Sequence, residues 1–215
     1  KYADANVIIL RRNSEENKSM AAVLHTAIGK HSSGAVNPKD LIYSESHDAG
    51  LMKSMVAGRK NVIFMLTADK ALLPALLRNL NDDREKYDIT VFGLPEWENM
   101  DLDVSYMLNL DTHLFSPWFV DYTKPDVCRF VERFRENYKT EPGQTELAYL
   151  GYDLSFFFIR SLMNYGRDFQ ECLSHAAHNG LSTGFRFWKT ESGGYENTAT
   201  SVYRLKDYKR YLVNR

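Results

Sequence analysis

Apolar and polar positions in the first half of the chain follow two different periods. Asn6-Val7-Ile8-Ile9-Leu10 is a short apolar run, and Asn61-Val62-Ile63-Phe64-Met65-Leu66 is a longer one, each bounded by polar residues. Runs of this kind suit strands covered on both faces, as in a parallel sheet. Between and after them the spacing becomes that of a helix. Met20, Val23, Leu24, Ala27 and Ile28 form one predicted stripe behind a cap at Ser14. Leu73, Leu76, Leu77 and Leu80 form another behind Thr67 or Asp69. Asp40 to Ser44, Tyr87 to Gly93 and Thr112 to Ser116 read as further strands, and Leu51 to Val56 and Asp103 to Leu108 as short helices. Strands alternating with helices predict an α/β fold, a three-layer βα domain on a parallel sheet with right-handed crossovers.

From Lys124 the pattern changes. Pro125 suits the first turn of a helix that carries Val127, Phe130, Val131, Phe134 and Tyr138 on one face. Thr145 to Tyr165 predicts a helix apolar around most of its circumference, with Leu150, Leu154, Phe156, Phe157, Phe158, Ile159 and Leu162. Such a helix calls for burial on several sides. A shorter helix is expected over Phe169 to Ala177. Phe185 to Trp188 and Thr200 to Leu205 alternate at period two around Gly193-Gly194, which predicts a C-terminal hairpin. The expected division is a βα lobe over residues 1–120, then helices and hairpin over 121–215, packed on the same sheet or in a dimer.

Composition narrows the function classes. The 215 residues, 44% of them hydrophobic, are ample for a packed core. A formal charge of −1, from 27 basic and 28 acidic residues, lacks the basic footprint of a nucleic-acid binder. No apolar run approaches the roughly 20 residues that span a bilayer; Leu147 to Met163 is broken by Gly151, Asp153, Ser155, Arg160 and Ser161. Lys1-Tyr2-Ala3-Asp4 has no signal-peptide character, so any targeting segment is expected to be absent or removed. Cys128 and Cys172 are expected to be buried free thiols rather than a pair.

No nucleophile elbow, zinc-protease motif, phosphate-binding loop or dinucleotide fingerprint is present, so the expectation is a non-enzyme without a cofactor. Cys172, His175 and His178 lie three apart on a predicted helix, but steps of three drift by about 60° and no fourth ligand is found, so no metal site is expected. The better candidates follow from the sheet. Ligands bind beyond the carboxyl ends of parallel strands, which singles out Thr67, Ala68 and Asp69. Arg11-Arg12-Asn13-Ser14, between the first strand and its helix, offers Arg12 and Ser14 as a grip for a carboxylate or phosphate, or else both arginines are solvated. Glu96 and Trp97 either hold an ammonium group by charge and cation–π contact, or mark a turn with Trp97 folded onto the core.

Several phrases together resemble the type I periplasmic binding proteins, the group that includes branched-chain amino-acid receptors of ABC importers. They are Asn61-Val62-Ile63-Phe64 before Thr67-Ala68-Asp69; Phe92-Gly93-Leu94-Pro95-Glu96; Glu141-Pro142 before Ala148-Tyr149-Leu150-Gly151-Tyr152-Asp153; and Gly180 to Phe187 before Gly193-Gly194-Tyr195-Glu196-Asn197. The resemblance implies the second lobe and C-terminal crossover of that fold, with the first lobe missing. It implies small-solute binding, an amino acid or peptide, in the periplasm or cell envelope, with Glu96 holding the ammonium and Thr67, Ala68 and Asp69 on the rim. Where relatives have a tyrosine followed by glycine near the first helix, this chain has Glu16-Asn17. The alternative it leaves open is an interaction or self-association module, LysM-linked and cell-wall associated through a part outside this chain. Without a first lobe, the Phe156-Phe157-Phe158 helix is expected to fold back on the sheet, swap into a second copy or bury itself in a homodimer.

Overall fold

A computed structural model describes residues 4–43, 49–143 and 147–213. In chain order the elements begin with β1 (Asn6–Arg11), α1 (Glu15–His31), β2 (Lys39–Ile42), α2 (Ala49–Ser54), β3 (Lys60–Leu66) and α3 (Leu73–Asp82). There follow β4 (Asp88–Gly93), a 3-10 turn (Pro95–Asn99), α4 (Val104–Asn109), β5 (His113–Ser116), α5 (Pro125–Tyr138) and α6 (Leu147–Tyr165). A second 3-10 segment (Gly166–His175) leads to β6 (His178–Asn179), β7 (Gly184–Phe185), β8 (Phe187–Lys189), β9 (Tyr195–Asn197), β10 (Ser201–Lys206) and β11 (Lys209–Leu212). The chain divides into two compact units, Lys1–Phe115 with Tyr203–Tyr211, and Ser116–Val202 with Leu212–Arg215.

The first unit is built on a sheet of order β11-β10-β5-β4-β3-β1-β2. β2, β1, β3, β4 and β5 pair in parallel, with Val7 opposite Val62 and Ile63 opposite Val91. Ile8, Ile9, Ile63, Met65 and Val91 are all fully buried, as expected of strands covered on both faces. At the amino ends, the Asn6 amide donates to the Asn61 side-chain oxygen (2.9 Å), and the Asn61 amide donates to the carbonyls of Val56 and Arg59 (both 3.0 Å). β10 and β11 form the C-terminal hairpin, turning at Asp207 and Tyr208, whose φ of 51° and 58° are those of a tight two-residue turn.

The leucines of α3 face inward as the spacing predicts. On α1 the inward stripe is Met20, Ala21, Leu24 and Ile28, packed against Val7, Ile9, Val62 and Leu66. Val23 and Ala27, expected in that stripe, are exposed; each is one residue from an inward-facing Leu24 or Ile28 and points about 100° around the helix from it.

The second unit has two small cores. Val127, Val131 and Tyr149 gather with Val120 and, at the margin, Phe130 and Leu181. Phe157, Leu173 and Phe185 gather with Phe158, Phe169 and Phe187, the Phe157 and Phe185 rings stacked at 4.4 Å. The buried Asp153 ties α6 to the following loop. Its carboxylate accepts from the backbone N–H groups of Leu181 (2.6 Å), Ser182 (2.7 Å) and Thr183 (3.0 Å) and from the Ser182 hydroxyl (2.8 Å).

Several expectations change in this unit. α6 buries only Tyr149, Asp153, Phe157 and Ser161, one stripe rather than several sides. Tyr138 is exposed because it lies at the last turn of α5, beyond that core. Phe169 to Ala177 is no α-helix: the segment is 3-10, kinked at Asp168. Phe187 to Lys189 pairs with Tyr195 to Asn197 across Gly193-Gly194, while Ser201 to Lys206 joins the large sheet instead. Cys128 is a free, exposed thiol and Cys172 a free, half-buried one. Residues 145 and 146, the expected start of α6, and Ser44, the expected end of the second strand, lie outside the described residues.

Candidate functional site

β2 lies on one side of β1 and β3 on the other, so the growth of the sheet reverses between β1 and β3. In an open parallel sheet, the crevice for a ligand forms beyond the carboxyl ends at that reversal. The residues leaving those ends are Arg12 after β1, Tyr43 after β2 and Thr67 to Asp69 after β3.

They form one network. Arg12 Nε donates to the Tyr43 hydroxyl (2.8 Å), and its terminal N–H pairs with Asp69 Oδ2. The Tyr43 and Thr67 hydroxyls share a hydrogen bond of 2.7 Å. Thr67 Oγ1 also accepts from the Asp69 backbone N–H (3.2 Å), and the Thr67 carbonyl accepts from Trp97 Nε1 (2.7 Å). Tyr43 and Thr67 are buried, whereas half of the Arg12 side chain and about a fifth of Asp69 remain exposed. The result is a buried floor of hydroxyls under a charged rim.

The two oxygens of Asp69 have separate tasks. Oδ1 accepts from the N–H groups of Ala71 (2.9 Å) and Leu72 (3.2 Å), closing the turn into α3. Oδ2 faces Arg12. The Ala71 and Leu72 donors, and after them the Arg12 charge, hold the carboxyl below the usual carboxylate range. Ala68 is half-buried between these two positions.

The remaining candidates fall out differently. Ser14 is the N-cap of α1, its hydroxyl accepting from Asn17 N–H (3.2 Å). Arg11 is drawn to Asp40 (2.8 Å), which also bonds His25 (2.6 Å). Both arginines therefore face carboxylates of their own chain. Glu96 is exposed on the 3-10 turn that Trp97 pins to Thr67. Trp97 itself is folded onto the interior, and a Cβ on Gly93 would come within 2.5 Å of its ring. His178 sits on β6, beyond the segment that carries Cys172 and His175, and among the described residues no group of three His, Cys, Asp or Glu is placed to hold a metal ion. No helix of the described residues is long and apolar enough to cross a membrane.

Tyr43 is the member that sequence reasoning missed, although a phenol at the end of a predicted parallel strand falls under the rule that found Thr67. A second concavity lies in the second unit, a groove of about 570 Å³ between α5, α6 and β6. Phe130, Phe134, Tyr152 and Phe156 line it, with Arg129 and Arg133 beside them. Periodicity places Phe130 and Phe134 on one apolar face and Phe156 in a helix expected to be buried; it does not single out Tyr152.

No protein-family model matches the sequence, and no curated protein matches it. Solved structures do share the fold. One is an ABC transporter substrate-binding protein from Desulfitobacterium hafniense in complex with Leu, at 13% identity and a TM-score of 0.55, the match covering 98% of this chain and 61% of that one. Another is a branched-chain amino acid ABC transporter periplasmic ligand-binding protein from Burkholderia xenovorans, at 11% identity and a TM-score of 0.57, covering 98% and 58%. Haemophilus influenzae LpoA is similar at 10% identity and a TM-score of 0.59, covering 98% and 36%. The chain thus shares the fold of part of each of these proteins, and it spans about 60% of the length of the two binding proteins.

Proposed function

We propose that the chain is a non-enzymatic solute-binding domain of the periplasm or cell envelope, and that its ligand is a small zwitterion such as an amino acid or short peptide. The observation that carries this reading is the Arg12–Asp69 pair set over the Tyr43 and Thr67 hydroxyls at the reversal point of the sheet. A fixed cation beside a fixed anion complements a molecule that bears both charges. The ligand carboxylate takes the guanidinium of Arg12, and the ligand ammonium takes Asp69 Oδ2, each replacing the partner held in the free protein. Glu96 offers a second carboxylate from the neighbouring turn. Charge-assisted hydrogen bonds of this type are about twice as strong as neutral ones. Two of the structurally similar proteins are binding proteins of amino-acid or ABC transport systems, one of them in complex with Leu, which supports the ligand class.

Calorimetric titration of the 215-residue chain with a panel of L-amino acids and dipeptides tests the reading. Saturable binding is expected, weakened about tenfold or more by Arg12→Ala or Asp69→Asn, each of which removes one charge-assisted hydrogen bond. If no zwitterion in the panel binds, or if amino-acid amides bind as well as the free acids, the assignment to Arg12 and Asp69 is wrong.

A further inference from the structure

The Arg12–Asp69 pair is one side of a closed ring of hydrogen bonds. Arg12 Nε donates to the Tyr43 hydroxyl, the Tyr43 and Thr67 hydroxyls share a bond, Thr67 Oγ1 accepts from the Asp69 backbone N–H, and the Asp69 carboxylate returns to Arg12. The hydrogens of this ring do not balance. Each hydroxyl oxygen already accepts one hydrogen from a nitrogen, Tyr43 from Arg12 and Thr67 from Asp69. Each hydroxyl also carries one hydrogen of its own. The bond between them uses one of those two, whichever hydroxyl donates, and among the described residues the other meets no acceptor. Tyr43 is 8% exposed and Thr67 4%, so a donor left over there costs free energy.

We infer that the Tyr43–Thr67 pair donates this remaining hydrogen to the carboxylate of the ligand, an assignment that rests on the zwitterion reading of the site. Tyr43 and Thr67 are then residues that set specificity, by fixing which end of the ligand lies deepest. A carboxylate has two oxygens and only accepts. One oxygen takes a terminal N–H of Arg12, whose guanidinium carbon lies 5.7 Å from the centre of the Tyr43 ring, and the other takes the hydroxyl hydrogen. An ammonium only donates, so a leftover donor offers it nothing. The carboxylate therefore sits on the hydroxyl floor and the ammonium at the rim, beside Asp69 Oδ2. The shared bond between the hydroxyls can run in either direction, so either one can supply the hydrogen without moving a heavy atom.

A double-mutant cycle tests this, with calorimetric titration of the 215-residue chain, Tyr43→Phe, Thr67→Val and the double variant against the panel of L-amino acids. Either single variant leaves one hydroxyl hydrogen without an internal acceptor, so a donor for the ligand survives. Only the double variant removes it. The loss of affinity in the double variant is expected to exceed the product of the two single losses by about tenfold, the worth of one hydrogen bond to a charged group. A pair that merely braces the site predicts the opposite sign, because the shared bond is already broken once one hydroxyl is gone. Thermal unfolding of the four chains without ligand should show that second pattern, the double variant losing less than the two single losses combined. Together the two patterns separate donation to the ligand from support of the fold. Amino-acid binding by the wild-type chain, with a loss in the double variant no greater than the product of the single losses, overturns the assignment and leaves the zwitterion reading standing. Binding of no amino acid by the wild-type chain fails that reading, and the assignment falls with it.

Discussion

α3 and α6 show how little the apolar content of a helix says about its burial. α3 has ten residues and buries five of them, Leu73, Leu76, Leu77, Leu80 and Asn81. α6 has nineteen residues, is richer in large apolar side chains, and buries four, of which Asp153 and Ser161 are polar. The difference lies in what each unit offers its helices. The first unit has a sheet of seven strands, broad enough to take an apolar stripe. The second has ladders of two and three residues, β6–β7 and β8–β9. Among the described residues, no strand of these two ladders is long enough to receive a nineteen-residue apolar helix. Its order comes instead from two small apolar clusters, one of them mainly aromatic, and from the carboxylate of Asp153, which gathers the loop from Leu181 to Thr183.

This contrast can be broken at its strongest point. Asp153→Ala strands the backbone donors of Leu181, Ser182 and Thr183 and should cost about 3–5 kcal/mol in chemical denaturation. A cost under about 1 kcal/mol would mean that the two apolar clusters alone organise the second unit. In the first unit, Leu77→Ala should cost about 2–5 kcal/mol, since Leu77 is fully buried. Leu162→Ala on α6 should change the stability of the chain by no more than about 0.5 kcal/mol, since Leu162 is exposed. Equal effects at these two leucines would erase the contrast. Gly180→Ala comes next: its Cβ would run into the Asp153 carboxylate, which four hydrogen bonds hold in place, so a loss of about 1–3 kcal/mol is expected from the thermal midpoint.

The smallest effect concerns the rim. The folded state holds the Asp69 carboxyl below its ordinary value of 3.8. A depressed carboxyl contributes stability that is present above 3.8 and lost as pH falls through the folded value. The difference in melting temperature between the wild-type chain and Asp69→Asn should therefore be widest near neutral pH and close in acid. Added salt should narrow only the part due to Arg12. A difference that persists in strong acid would assign the role of Asp69 to turn geometry alone.

The strands and the site were not equally legible. β1 and β3 announced themselves as unbroken apolar runs, and the leucines of α3 by their spacing, because these signals are local and their periods are fixed by backbone geometry. Thr67 and Asp69 were reachable by a topological rule that needs only the order of elements. Tyr43 is visible by the same rule but lacks a motif to draw attention to it. Trp97 admitted two readings, and the close approach of its ring to Gly93 places it inside.

The sequence by itself determined the α/β class, the parallel sheet of the first unit and the strand end at which Thr67 and Asp69 stand, since each depends on residues near one another in the chain. Only the tertiary structure decided which charges meet and which apolar faces are covered. Arg12 finds Asp69 across 57 positions, and Asp153 finds the loop 28 to 30 positions away. The outer side of α6 stays bare while its inner side is buried. Periodicity locates an apolar face, but its burial depends on whether another part of the fold arrives to cover it.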